Sequence, residues 1–118
     1  MRLNTWHTAV LLLVLFVAVE SLAQQKLPTS QRYQDGKAIY DYACARCHDH
    51  GEGGAPIIGD QGSWSLRSSL WEAVLIEHAD EGYLGMPASG GDSRLSDYDV
   101  EVAAEYILER TFPERKPD

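Results

Sequence analysis

The five residues Cys44-Ala45-Arg46-Cys47-His48 constrain this chain more than any other segment. Two thiols one helical turn apart, with a histidine directly behind the second, suit covalent attachment of a c-type haem. In that chemistry each thiol adds across a porphyrin vinyl group to give a thioether, and the histidine turns under the ring to ligate iron. The two cysteines are the only ones in the sequence. The C-x-x-C spacing alone also fits a redox dithiol, or a zinc site completed by two of His48, His50 and His78. The adjoining histidine is what favours haem.

The first 23 residues bear on where this chemistry happens. The apolar run from Ala9 to Val19 is 11 residues long, inside the signal-peptide range and short of the ~20 that a membrane span needs. Small residues in Ser21-Leu22-Ala23 place a cut before Gln24. The expectation is a secretory signal peptide over 1–23, a mature domain over 24–118 and a periplasmic protein. A membrane anchor formed by the uncleaved segment is the alternative. Export agrees with the cysteines, since haem c is attached on the far side of the membrane, where thiols need protection from disulfide formation.

Residues 24–118 are enough for one small domain. A core this thin often needs a staple, and a porphyrin fixed by two thioethers and two iron ligands supplies one. Burying a few hundred Å² of apolar ring surface is worth on the order of 10 kcal/mol, so the apo chain is expected to be largely unfolded. Past the signal, nine Lys and Arg face seventeen Asp and Glu. A net charge of −8 makes nucleic acid an improbable ligand.

Three helical patterns follow. The first runs from about Ser30 into the haem motif, with Tyr33, Gly36, Tyr40, Ala43, Cys44 and Cys47 on one side. Gly36 weakens such a helix and so predicts a close crossing with another. The second begins at the capping box Ser69-Leu70-Trp71-Glu72 and carries Trp71, Val74, Leu75 and His78 on one face as far as Gly82. The third starts at Ser96 with Asp99 at the capping position and sets Val100, Ala103, Ala104, Ile107 and Leu108 in a stripe ending near Arg110. No stretch alternates as a strand does. Two glycine-rich loops, 51–62 and 82–91, connect the helices, and neither has the pattern of a phosphate cradle. The second holds Met86, the only methionine left once Met1 departs with the signal. A thioether suits low-spin haem iron, and Met86 between Gly85 and Pro87 is expected to be the second ligand.

With these residues in view, the chain resembles a class I c-type cytochrome, most closely the small bacterial monohaem cytochrome c-five group. The likeness covers residues 35–108. It rests on Gly36 and Tyr40 before the haem motif, Gly54-Ala55-Pro56 with Gly59-Asp60, Trp64 and Arg67, Met86-Pro87 with Gly90-Gly91, Leu95-Ser96-Asp97, and Tyr106-Ile107. It implies an all-α fold of three main helices and wrapping loops around one covalently bound haem c, the first and last helices crossing at Gly36 near Tyr106. It further implies metal ligation by His48 and Met86 and attachment through Cys44 and Cys47. The Pro56 carbonyl is expected to accept the His48 Nδ1 proton, and Trp64 and Arg67 are expected to reach a propionate. Members of the group often carry a cysteine pair where Asp92 and Leu95 stand here, so the loop holding Met86 is expected to be less firmly fixed.

The function implied is one-electron transfer, without a small-molecule substrate, between redox protein donors and acceptors. A haem subunit of a larger, membrane-associated oxidase or dehydrogenase is the alternative, and a haem peroxidase or gas sensor a more remote one.

Overall fold

A computed structural model describes residues 29–64, 67 and 72–115. The expected signal over 1–23 and the Ser69–Trp71 start of the second helix lie outside the described residues. Helix α1, Thr29–Ile39, runs unbroken into a wider π-helical turn, Tyr40–Cys44, and then into α2, Ala45–His48. The expectation was one regular helix. Instead the Ala45 N–H donates to Tyr40 O, five residues back. This extra residue in the turn shifts the register, yet Cys44 still packs with Tyr33 against the core around Tyr40. Tyr40 is buried, and its hydroxyl donates to the Asp49 carboxylate.

The loops are more ordered than their glycines suggest. Short 3₁₀ turns form at Glu52–Gly54 and Ala88–Gly91, and a short α3 at Gln61–Trp64. Helix α4 spans Glu72–Glu81 and α5 spans Asp97–Thr111. Among the described residues no strand forms, although Tyr83 and Met86 pair as an isolated antiparallel bridge.

Helix α5 begins with a complete capping box. The Asp99 N–H donates to Ser96 Oγ at 3.3 Å, and the Asp99 carboxylate accepts the Ser96 hydroxyl at 2.7 Å and N–H at 2.9 Å. The hydroxyl chiefly, and then the N–H, hold the Asp99 carboxyl below its ordinary range. The five stripe residues of α5 are buried as expected, but so are Val102, Tyr106 and Thr111. The wider burial follows from packing on both α1 and α4.

The α1–α5 crossing is close because of Gly36, where a Cβ would overlap the Val102 carbonyl oxygen and sit 3.0 Å from Tyr106 Cβ. Around it Tyr106 packs edge-on against Tyr33 and tilted against Tyr40, with centroids 5.1 and 5.4 Å away. A polar clamp flanks the crossing: Arg32 donates through Nη2 to Glu101 and Glu105, each at 2.7 Å, and through Nε to Glu105 at 3.0 Å. No helix among the described residues is long and apolar enough to cross a membrane.

Candidate functional site

His48 ends α2 and is buried. Its Nδ1–H donates to Pro56 O at 2.7 Å. A carbonyl can only accept, so Nδ1 carries a proton, and in the neutral ring Nε2 is the nitrogen with the lone pair. The same loop grips the main chain, where the Ile58 N–H donates to His48 O at 2.9 Å. Ring and backbone of one residue are thus fixed by two residues of one loop, Pro56 and Ile58, which orients the imidazole as a ligand.

The loop is in turn fastened outward. The Ile57 N–H donates to Ser63 Oγ at 2.6 Å, and the Gly59 N–H to Thr111 Oγ1 at 3.0 Å. Gln61 Nε2 donates to Thr111 O at 3.1 Å, while the buried Thr111 hydroxyl donates to Ile107 O at 2.7 Å. The sequence reading missed Ser63 and Thr111, small polar residues whose role depends on the loop's path. Thr111→Val keeps the shape but leaves the Gly59 N–H without its acceptor. It is expected to cost about 1–2 kcal/mol, read as a lower midpoint in a thermal melt. An unchanged midpoint would show that the loop does not depend on α5.

Trp64 is buried against His48, the rings 6.0 Å apart and inclined by 19°. Its indole N–H donates to Ile57 O at 2.8 Å. An indole has one donor, and here a backbone carbonyl takes it. Alongside that bond Trp64 walls the histidine, and its contact with a propionate stays an expectation. Arg67 commits one of its N–H groups, on Nη1, to Ser63 O at 3.1 Å.

Cys44 and Cys47 are free, half-buried thiols. Burial first, and then the neighbouring Cys47, push the Cys44 thiol up to about 11. Among the described residues, no three His, Cys, Asp or Glu side chains come together as a metal cage, so the zinc arrangement through Cys44, Cys47 and two of His48, His50 and His78 is not formed.

Met86 lies half-buried in a tight turn. The Tyr83 N–H donates to Met86 O at 3.0 Å and the Met86 N–H to Tyr83 O at 2.9 Å. The turn's tip, Leu84, is held at φ +52° and is 85% exposed. His78, expected on the apolar face of its helix, stacks on the Tyr83 ring. Past Met86, Gly90 closes on the Ala43 carbonyl, where a Cβ would lie 3.4 Å away. Asp92 accepts from the Tyr42 hydroxyl at 2.7 Å and from Arg94 Nη2 at 2.6 Å. The loop expected to be loose for want of a cysteine pair is thus tied to the haem-motif helix by polar contacts at one of the very positions concerned.

These residues fit haem c. The histidine has Nδ1 engaged and leaves Nε2 to face a metal, the thiols are free and one turn apart, and a thioether sulfur stands on a constrained turn. Helix α4 adds an apolar surface: Val74, Leu75 and Ile76 are only half-buried, and none of its residues is fully buried by the chain itself.

The family model for cytochrome C oxidase, cbb3-type, subunit III, matches residues 31–107. Cytochrome c-555 of Chlorobaculum tepidum is 40% identical over 77 residues, which cover 62% of this chain and 71% of that protein. Cytochrome c-551 of Halorhodospira halochloris is 37% identical over 78 residues, covering 63% and 95%. Among solved structures, a chain from the "crystal structure of electron transfer complex of nitrite reductase with cytochrome c" matches with a TM-score of 0.61 and 26% identity, over 65% of this chain and 94% of that one. With the match running from α1 into α5 around the attachment motif, the chain belongs to the cytochrome c family, as a small class I member whose covalently held haem c serves electron transfer.

Proposed function

We propose that this protein is a periplasmic one-electron carrier in which His48 and Met86 are the iron ligands and Cys44 and Cys47 hold the cofactor. The observation that carries this reading is the His48 Nδ1–Pro56 hydrogen bond, which leaves Nε2 as the donor atom. Haem c supplies a one-electron couple, and pairing a histidine with a thioether raises its potential relative to two nitrogen ligands. The chain's own residues do the rest. Pro56 fixes the imidazole, Trp64 covers it, Arg67 is the cation available to a propionate, and the turn at Tyr83–Met86 presents the sulfur. Two protein ligands deny small molecules an open position, so no substrate is transformed.

Residues 1–23 act in this proposal as a cleaved signal peptide. The partners are redox proteins, as in the nitrite reductase complex of the structural neighbour, and a net charge of −8 favours those with a basic face. A second reading, a haem subunit of a larger oxidase, is favoured by the description of the matching family model. Co-elution with an oxidase from native membranes would support it, and a free monomer would not.

The test is ligand replacement. Met86→Ala is expected to lower the reduction potential and abolish the weak sulfur-to-iron charge-transfer band of the ferric protein. The reduced variant should bind carbon monoxide readily, while the unmodified protein should not. Immediate carbon monoxide binding by the unmodified protein would replace the carrier reading with a sensor or peroxidase.

A further inference from the structure

We infer that Tyr83, braced by His78, is a positioning residue for Met86 and sets how readily the methionine gives up its place to an external ligand. The inference rests on the proposed ligation by Met86. The Met86 backbone is paired with Tyr83 in both directions, at 2.9 and 3.0 Å, so the two residues move as a unit. The Tyr83 ring lies flat on the His78 imidazole of α4, with centroids 3.9 Å apart and an interplanar angle of 4°. The turn is tight on its inner side as well, since a Cβ on Gly82 would lie 3.0 Å from Met86 O and 2.9 Å from Ala88 N.

The mechanical path is therefore α4, His78, Tyr83, Met86. Moving the Met86 backbone aside requires Tyr83 to slide off His78 or to break both backbone bonds. Leu84, held in the left-handed region at φ +52°, stores strain that favours rearrangement. The stack opposes that release. A ligand that binds only the open form sees an affinity reduced by the open fraction, so loosening the stack tightens apparent binding. An aromatic pair contributes enough to change that fraction roughly three- to tenfold.

The experiment is imidazole titration of the ferric holoprotein, followed through the haem spectrum. Tyr83→Ala and His78→Ala are each expected to strengthen imidazole binding by roughly three- to tenfold, and the double variant no more than the stronger single one. Tyr83→Phe, which keeps the ring, should match the unmodified protein. In a Met86→Ala background Tyr83→Ala should have no effect, because there is no ligand to displace. An equal gain in that background would show that Tyr83 acts on access or general stability and would overturn the inference. So would an unchanged affinity in Tyr83→Ala while Met86→Ala binds more tightly than the unmodified protein. If Met86→Ala and the unmodified protein bind imidazole alike, the ligation reading itself falls, and this inference with it.

Discussion

Gly36→Ala should prevent accumulation of stable holoprotein, or lower its stability by about 3 kcal/mol or more. Adding one methyl to a packed core typically costs about 1–3 kcal/mol, because neighbouring side chains can yield. Here the methyl would overlap the Val102 carbonyl oxygen and approach its carbonyl carbon to 2.9 Å. These are main-chain atoms in the middle of α5, so relief requires the whole helix to back away. Separation would loosen the packing of Tyr106 on Tyr33 and Tyr40, and the three bonds by which Arg32 reaches Glu101 and Glu105. For a domain stable by about 5–15 kcal/mol, that is a large share. Guanidinium unfolding of the holoprotein measures it. Because the obstacle is backbone, adding Val102→Ala should not restore the loss, and rescue by that second change would refute the argument.

The same crossing shows what the amino-acid pattern could and could not reveal. Gly36 is conspicuous inside a helical stripe, and the resemblance pairs it with Tyr106. The stripe of α5 named Val100, Ala103, Ala104, Ile107 and Leu108, all of them buried. Val102 lies off that stripe and is fully buried, because the missing side chain at 36 brings α1 against a second face. Periodicity finds one buried face and is silent about a second created by a partner helix. The π-turn at Tyr40–Cys44 was equally invisible, since neither glycine nor proline marks it.

In the site, chemistry that depends on residue type was legible and chemistry that depends on the path of a loop was not. Cys44, Cys47 and His48 are read from spacing, and Met86 from being the one methionine outside the expected signal segment. Trp64 was singled out for a propionate, and its N–H goes to a carbonyl seven residues earlier. No spacing rule signals that bond. His78 stands on the apolar face of α4 as the pattern placed it, but its partner Tyr83 comes within reach only because Gly82, at φ +87°, turns the chain back. Thr111 and Ser63 gave no signal, being common residues made important by backbone groups that arrive from elsewhere.

Replacing both attachment thiols, Cys44→Ser with Cys47→Ser, should leave a chain without covalent haem and without most of its cooperative structure. What the polypeptide buries by itself lies mainly between α1 and α5, joined by the loop that runs from His48 through Trp64 to Thr111. Helix α4 contributes no fully buried residue, and its Val74, Leu75 and Ile76 remain half-buried. A helix of 10 residues is too short to persist in water without tertiary packing. The apolar contribution of a porphyrin, on the order of 10 kcal/mol, is comparable to the whole stability of an ordinary domain. Losing it should unfold α4 and the Met86 turn outright and leave the α1–α5 pair marginal. The expected readings are a large loss of far-UV circular dichroism, no sharp thermal transition, and amide exchange without protection across 72–91. Residual protection, where any persists, should be confined to the crossing at Gly36 and Val102. A single cysteine replacement should be milder, because one thioether still retains the ring. A double variant that melts cooperatively with the helicity of the holoprotein would mean that the chain builds its core without the cofactor.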